Sequence, residues 1–145
     1  MPSNLERANL LREQGEQARA RNDLPLAQDC YEKAVALLRD SGDPLRFAHT
    51  IRHLGDVLAE QHAKEAEACF IEALVLYRAH RPSLHTANAI RSYALLLSET
   101  GRHTEARPLW HEAELLYQAH AIEAGVEECR QRRGAESHSN VTYID

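Results

Sequence analysis

The chain has 145 residues, 22 of them Asp or Glu against 17 Lys or Arg, for a formal net charge of -5. At 43% hydrophobic and 27% charged residues it has the composition of one ordinary globular domain, which excludes disordered and collagen-like chains and leaves no length for two domains with a linker. The acidic balance disfavours a nucleic-acid partner, no run approaches the roughly 18 apolar residues that span a bilayer, and the opening segment lacks the apolar stretch of a signal peptide; no membrane association and a cytoplasmic setting are expected.

In chain order, the helix signals begin at Ser3-x-x-Glu6, a capping-box pattern, and the first stripe of small and apolar positions runs through Gly15. Ala27, Cys30, Tyr31, Ala34 and Leu38 then follow the i, i+3, i+4, i+7 spacing of a second helix. Asp43-Pro44 reads as a cap followed by a first-turn proline and starts a third helix through Gly55. Ala66, Cys69, Phe70, Ala73 and Tyr77 make the stripe of a fourth. A fifth passes Ala94 and stops at Gly101, and Ala106, Leu109, Trp110, Ala113, Leu116 and Tyr117 line a sixth. A seventh is expected over 122–133, with Ile122, Val126 and Cys129 on one face and a stop at Gly134.

These elements repeat. Gly15, Gly55 and Ala94 are each followed by a small residue 11 or 12 positions later (Ala27, Ala66, Ala106), an aromatic four further on (Tyr31, Phe70, Trp110) and an alanine after three more (Ala34, Ala73, Ala113), with offsets of 39 or 40 between units. Small residues at fixed points on consecutive helices let the backbones approach while an aromatic fills the space beside them, so each unit reads as a helical hairpin. The repeats fall at about 4–42, 43–81 and 82–120, inside one domain of residues 1–134, with 135–145 as a C-terminal tail.

The pattern resembles the tetratricopeptide repeat family through Leu54-Gly55, Leu58, Ala66, Phe70 and Ala73 and their counterparts on either side. The resemblance implies an all-α solenoid, with three antiparallel hairpins stacked as a right-handed superhelix whose first helices line a concave groove. The period is longer than the family's usual one, and the extra residues are expected to lengthen either the helices or the inter-repeat loops at 39–44 and 80–82. The middle unit is one residue shorter, in the turn Gln61-His62-Ala63-Lys64. The seventh helix would cap the last hairpin or stand as half of a fourth repeat.

The stripe facing such a groove has one cation at the same place in every unit. Three residues before each small residue stand Arg12, Arg52 and Arg91; six before stand Asn9, His49 and Asn88. Arginine offers a planar fork of donors that suits carboxylates, and asparagine suits peptide backbone, so the lining fits an extended acidic segment of a protein partner. The competing reading is a solvated helix face in which Arg12 pairs with Glu16 and Arg52 with Asp56, four residues on. Two residues before the small residue stand Glu13, His53 and Ser92, which do not reproduce the carboxylate clamp of chaperone-binding family members.

No phosphate loop, nucleophile elbow or HExxH pattern is present in the sequence. No enzymatic activity and no cofactor are expected. His49 and His53 have the i, i+4 spacing at which two imidazoles share a metal, but the sequence offers no third ligand and no metal is expected. Cys30, Cys69 and Cys129 lack metal or disulfide spacing and read as core, as do Tyr31, Phe70 and Trp110. Arg130, Arg132 and Arg133 are read as matching the negative pole of the last helix. The tail is expected either to be mobile or to dock on a groove through Asp145, and the alternative to a peptide-binding module is a self-association unit joined through the seventh helix and tail.

Overall fold

The computed structural model describes the backbone of residues 1–142 and the side chains of residues 1–135. Among them the secondary structure is all-α, as the helical periodicity requires: α1 Asn4–Ala20, α2 Leu24–Leu38, α3 Pro44–Glu60, α4 Ala66–Arg78, α5 Leu84–Glu99, α6 His103–Ala119 and α7 Glu123–Thr142. The helices pair as hairpins of the helical-repeat class. The chain divides into two compact units, Met1–Tyr77 and Arg78–Asp145.

Local chemistry starts and stops the helices where the sequence signals stand. The Ser3 hydroxyl accepts from the Glu6 N–H at 3.1 Å, and Asp43 accepts from the Arg46 N–H at 3.1 Å with Pro44 opening α3. Asp23 caps α2 in the same way, accepting from the Leu26 N–H at 3.2 Å. The turn inside each hairpin uses one residue in the left-handed region: Asn22 (φ 62°), His62 (58°) and Gly101 (80°). The next N–H then reaches back to a carbonyl in the last turn of the preceding helix, Asp23 to Ala18 at 2.8 Å, Ala63 to Leu58 at 2.9 Å and Arg102 to Leu97 at 2.8 Å. This closure satisfies carbonyls that the helix end would leave unpaired. The deletion in the middle unit falls where expected: Ala66 is the first residue of α4, whereas Ala27 and Ala106 lie one turn inside α2 and α6.

In unit 1 the aromatic of each second helix closes on the glycine of the first. A methyl at Gly15 would lie 3.0 Å from Tyr31 Cζ, and one at Gly55 would lie 2.7 Å from Phe70 Cε1. Tyr31 and Phe70 are fully buried beside Ala27, Ala34, Ala66 and Ala73. The hairpins are joined by polar contacts between α1 and α3: Arg46 donates to Asn9 Oδ1 at 2.9 Å and Arg19 pairs with Glu60. In unit 2, Trp110 is fully buried between α5 and α6 and its indole N–H donates to Ser98 at 2.9 Å.

The seventh helix departs from expectation. It continues through Gly134 to Thr142, because a glycine weakens a helix by only about 1 kcal/mol and nothing at this position demands a left-handed residue. The left-handed residue sits at the other end, at Ala121 (φ 57°), in the turn from α6. Gly134 lies 40 residues after Ala94, so α7 carries the small residue of a fourth first-helix in register. The expected docking of Asp145 lies outside the described residues.

Candidate functional site

α7 is bound to unit 2 by ion pairs that sequence reasoning assigned elsewhere. Arg130 and Arg133 are not at a helix end; they reach Glu114 of α6 at 3.2 and 2.7 Å. Burial would raise the Glu114 carboxyl, but the hydrogen bonds from Arg133 and Arg130 outweigh it and hold it below the usual value. Arg132 lies 5.8 Å from the centre of the Trp110 ring, and Cys129 is buried, its thiol pushed up to about 11 by desolvation. Gly125 lets α7 approach α6, since a Cβ there would sit 2.6 Å from Tyr117 Cγ.

The arginine stripe is met at three positions in three different ways. Arg91 in unit 2 is held by Glu128 of α7, Nε to Oε1 at 2.5 Å and Nη2 to Oε2 at 2.9 Å, a two-pronged contact that lowers the Glu128 pKa. Asn88, one turn away, accepts from the Tyr117 hydroxyl at 2.6 Å. Arg52 in unit 1 pairs with Asp56 along its own helix at 3.2 Å, both side chains mostly buried (15% and 11% exposed). Arg12 has neither kind of partner. Glu16 is exposed and makes no ion pair with it, and the buried Arg12 Nε has no hydrogen-bond acceptor among the described residues. The i, i+4 pair therefore forms at Arg52, mostly buried rather than solvated, and is not made by Arg12.

The register explains the contrast. Glu128 lies 37 residues after Arg91, and the residue 37 after Arg12 is His49, on the helix that packs beside α1. Where unit 2 supplies a carboxylate from the following helix, unit 1 supplies an imidazole. His49 stands edge-on to His53, with ring centres 4.6 Å apart and the two Nε2 atoms 3.3 Å apart. His53 stacks on Tyr31 at 5.8 Å. Burial, reinforced by Arg52, His49, Arg19 and Arg12, pushes His53 down to about 3, so the ring is neutral at physiological pH. Among the described residues no group of three metal-ligating side chains is assembled.

Three polar ends here go beyond the sequence reading, which takes Tyr31 as core, Tyr77 as part of the α4 stripe and His53 as one of an i, i+4 histidine pair. Tyr31 and Tyr77 are 1% and 3% exposed, yet neither hydroxyl has a hydrogen-bond partner, and His53 Nδ1 is likewise buried without one. Burial pushes both phenols up to about 12, helped at Tyr31 by Glu16 and Asp56, so they remain donors; Arg12 acts against the rise at both, with Arg52 at Tyr77 and Arg19 at Tyr31. The available signal was small: of the three hairpin-filling aromatics, Tyr31 alone carries a hydroxyl, and Tyr77 ends the α4 stripe. Of the expected lining, Asn9, Arg12, Glu16, His49, Arg52 and Asp56 belong to α1 and α3 of unit 1, while Asn88 and Arg91 lie in unit 2 with partners of their own.

No protein-family model and no curated protein matches the chain. Among solved structures, the crystal structure of MamA protein aligns over 95% of this chain and 96% of that chain at 15% identity, with a TM-score of 0.40. No helix among the described residues is long and apolar enough to cross a membrane.

Proposed function

We propose that the chain is a helical-repeat interaction module that binds an acidic segment of a protein partner along the α1–α3 face of unit 1, with Arg12 as the receiving cation. The observation that carries this reading is the contrast between equivalent arginines: Arg91 holds a carboxylate from a neighbouring helix in a two-pronged grip, whereas Arg12 is half-buried with an unsatisfied Nε. A buried donor without an acceptor is costly in the free protein, and a carboxylate arriving from a partner relieves that cost on binding. Asn9 flanks the position; its oxygen accepts from Arg46 and its amide N–H group remains to donate to a peptide carbonyl. The module performs no chemistry of its own in this account, and the partner is recognised by charge and shape.

Fluorescence anisotropy with a labelled ten-residue peptide rich in Asp and Glu, against a Lys-rich peptide of the same length, tests this directly. The acidic peptide is expected to bind selectively and to weaken about tenfold in the Arg12→Ala variant, the loss of one charged hydrogen-bonding partner. Arg12 makes no ion pair among the described residues, so the variant is expected to keep its helicity by circular dichroism. Equal affinity of the variant, or no preference between peptides, contradicts the assignment.

A further inference from the structure

Arg12 is one of a set of buried polar atoms without a hydrogen-bond partner contributed by four different helices: Arg12 Nε from α1, the Tyr31 hydroxyl from α2, His53 Nδ1 from α3 and the Tyr77 hydroxyl from α4. Contacts place Tyr31 beside both α1 and His53, and electrostatic influence links Tyr77 to Arg12. The Tyr31 ring tip lies at Gly15, one turn along α1 from Arg12; the same ring stacks on His53; and Tyr77 lies within the field of both Arg52 and Arg12. Arg52 is balanced by Asp56 and Arg19 by Glu60; Arg12 is the cation of the cluster without an ion pair, and the exposed Glu16 acts on the Tyr31 hydroxyl without pairing with it. Two phenols that stay protonated and a neutral imidazole add donors without adding charge. The 3.3 Å Nε2–Nε2 contact of His49 and His53 admits either direction; when His49 is the donor, His53 carries its proton on Nδ1 and is a donor as well.

From this convergence we infer that unit 1 holds a tetrahedral oxyanion of the phosphate class among Arg12, Tyr31, His53 and Tyr77. The inference deepens the reading of the α1–α3 face as an acid-recognising surface and rests on it. Donors arriving from four helices do not share a plane. A carboxylate presents its lone pairs in one plane and fits a flat fork such as that of Arg91, whereas a phosphate accepts from all sides. Free phosphate and the phosphoryl group of a modified partner side chain present the same chemistry to this site.

The test is thermal unfolding of the full chain at fixed ionic strength and pH 7, with sodium phosphate, sulfate, acetate or chloride as the variable anion. Phosphate at about ten times its dissociation constant is expected to raise the melting temperature by about 3 to 5 °C over chloride, with sulfate behaving similarly and acetate doing little. Tyr31→Phe and Tyr77→Phe keep their rings in the core and remove only the orphaned hydroxyls, so both variants stay folded without phosphate and each weakens its binding about tenfold. The inference is overturned if phosphate does no more than chloride, if acetate matches it, or if both Phe variants respond as the parent does. An acidic peptide that still depends on Arg12 under those outcomes leaves the interaction reading standing. Displacement of free phosphate by a phosphoserine peptide, but not by its unmodified form, supports a modified partner as the source; displacement by neither supports free phosphate.

Discussion

Single residues decide what the α1–α3 face does, and the clearest case is His53. Its ring is kept neutral by burial and by the arginines of α1 and α3, with Tyr31 stacked on it and His49 beside it. The folded state takes up its proton only near pH 3, while the unfolded chain takes it up near 6.5. Below pH 6.5 the unfolded state therefore binds more protons, and the contribution of neutral His53 to stability, complete above that pH, is lost progressively as pH falls towards 3. Between pH 7 and pH 5 this amounts to about 2 kcal/mol. Urea unfolding at the two pH values should show a His53→Gln variant losing about that much less than the parent; an equal loss would mean that His53 is solvated and titrates normally. A bound oxyanion acts in the opposite direction, favouring the imidazolium and softening the acid sensitivity.

At the scale of elements, the repeat was legible because its parts are steric. Gly15 with Tyr31 and Gly55 with Phe70 are spaced as two helices in contact must space them, and the caps at Ser3, Asp23 and Asp43 follow from the orphan donors of a helix start. Gly134 was misread because a glycine in sequence does not reveal whether it is needed for conformation, for clearance or for neither. The structure separates these cases. An alanine at Gly55 would press a methyl to 2.7 Å from Phe70, a ring fully buried and unable to retreat, whereas one at Gly134 meets no atom within 4 Å. Gly55→Ala should therefore destabilise the protein by about 1 to 3 kcal/mol despite the better helix propensity of alanine. Gly134→Ala should stabilise α7 by about 0.5 to 1 kcal/mol. Chemical denaturation of the two variants checks the pair, and the same sign for both would contradict the packing described.

For the whole molecule, the three arginines looked alike in sequence because they share one register, and they differ because of what the next helix brings opposite them. His49 and Glu128 occupy the corresponding place 37 residues on, one an imidazole and the other a carboxylate, so Arg91 is satisfied by a neighbouring first helix, Arg52 by Asp56 of its own helix, and Arg12 by neither. That difference was present in the sequence, but reading it requires knowing that residues 37 apart meet across neighbouring first helices. The phenols of Tyr31 and Tyr77 were harder to foresee, since a buried ring follows from periodicity while the direction of its hydroxyl does not. Nitrogen-15 NMR of the full chain titrated with the acidic peptide, following the arginine Nε–H and histidine side-chain signals, tests the central claim most directly. The account predicts that Arg12 and His53 shift in step with saturation while Arg91, already held by Glu128, stays in place; shifts centred on Arg91 and α7, or none at Arg12, would contradict it.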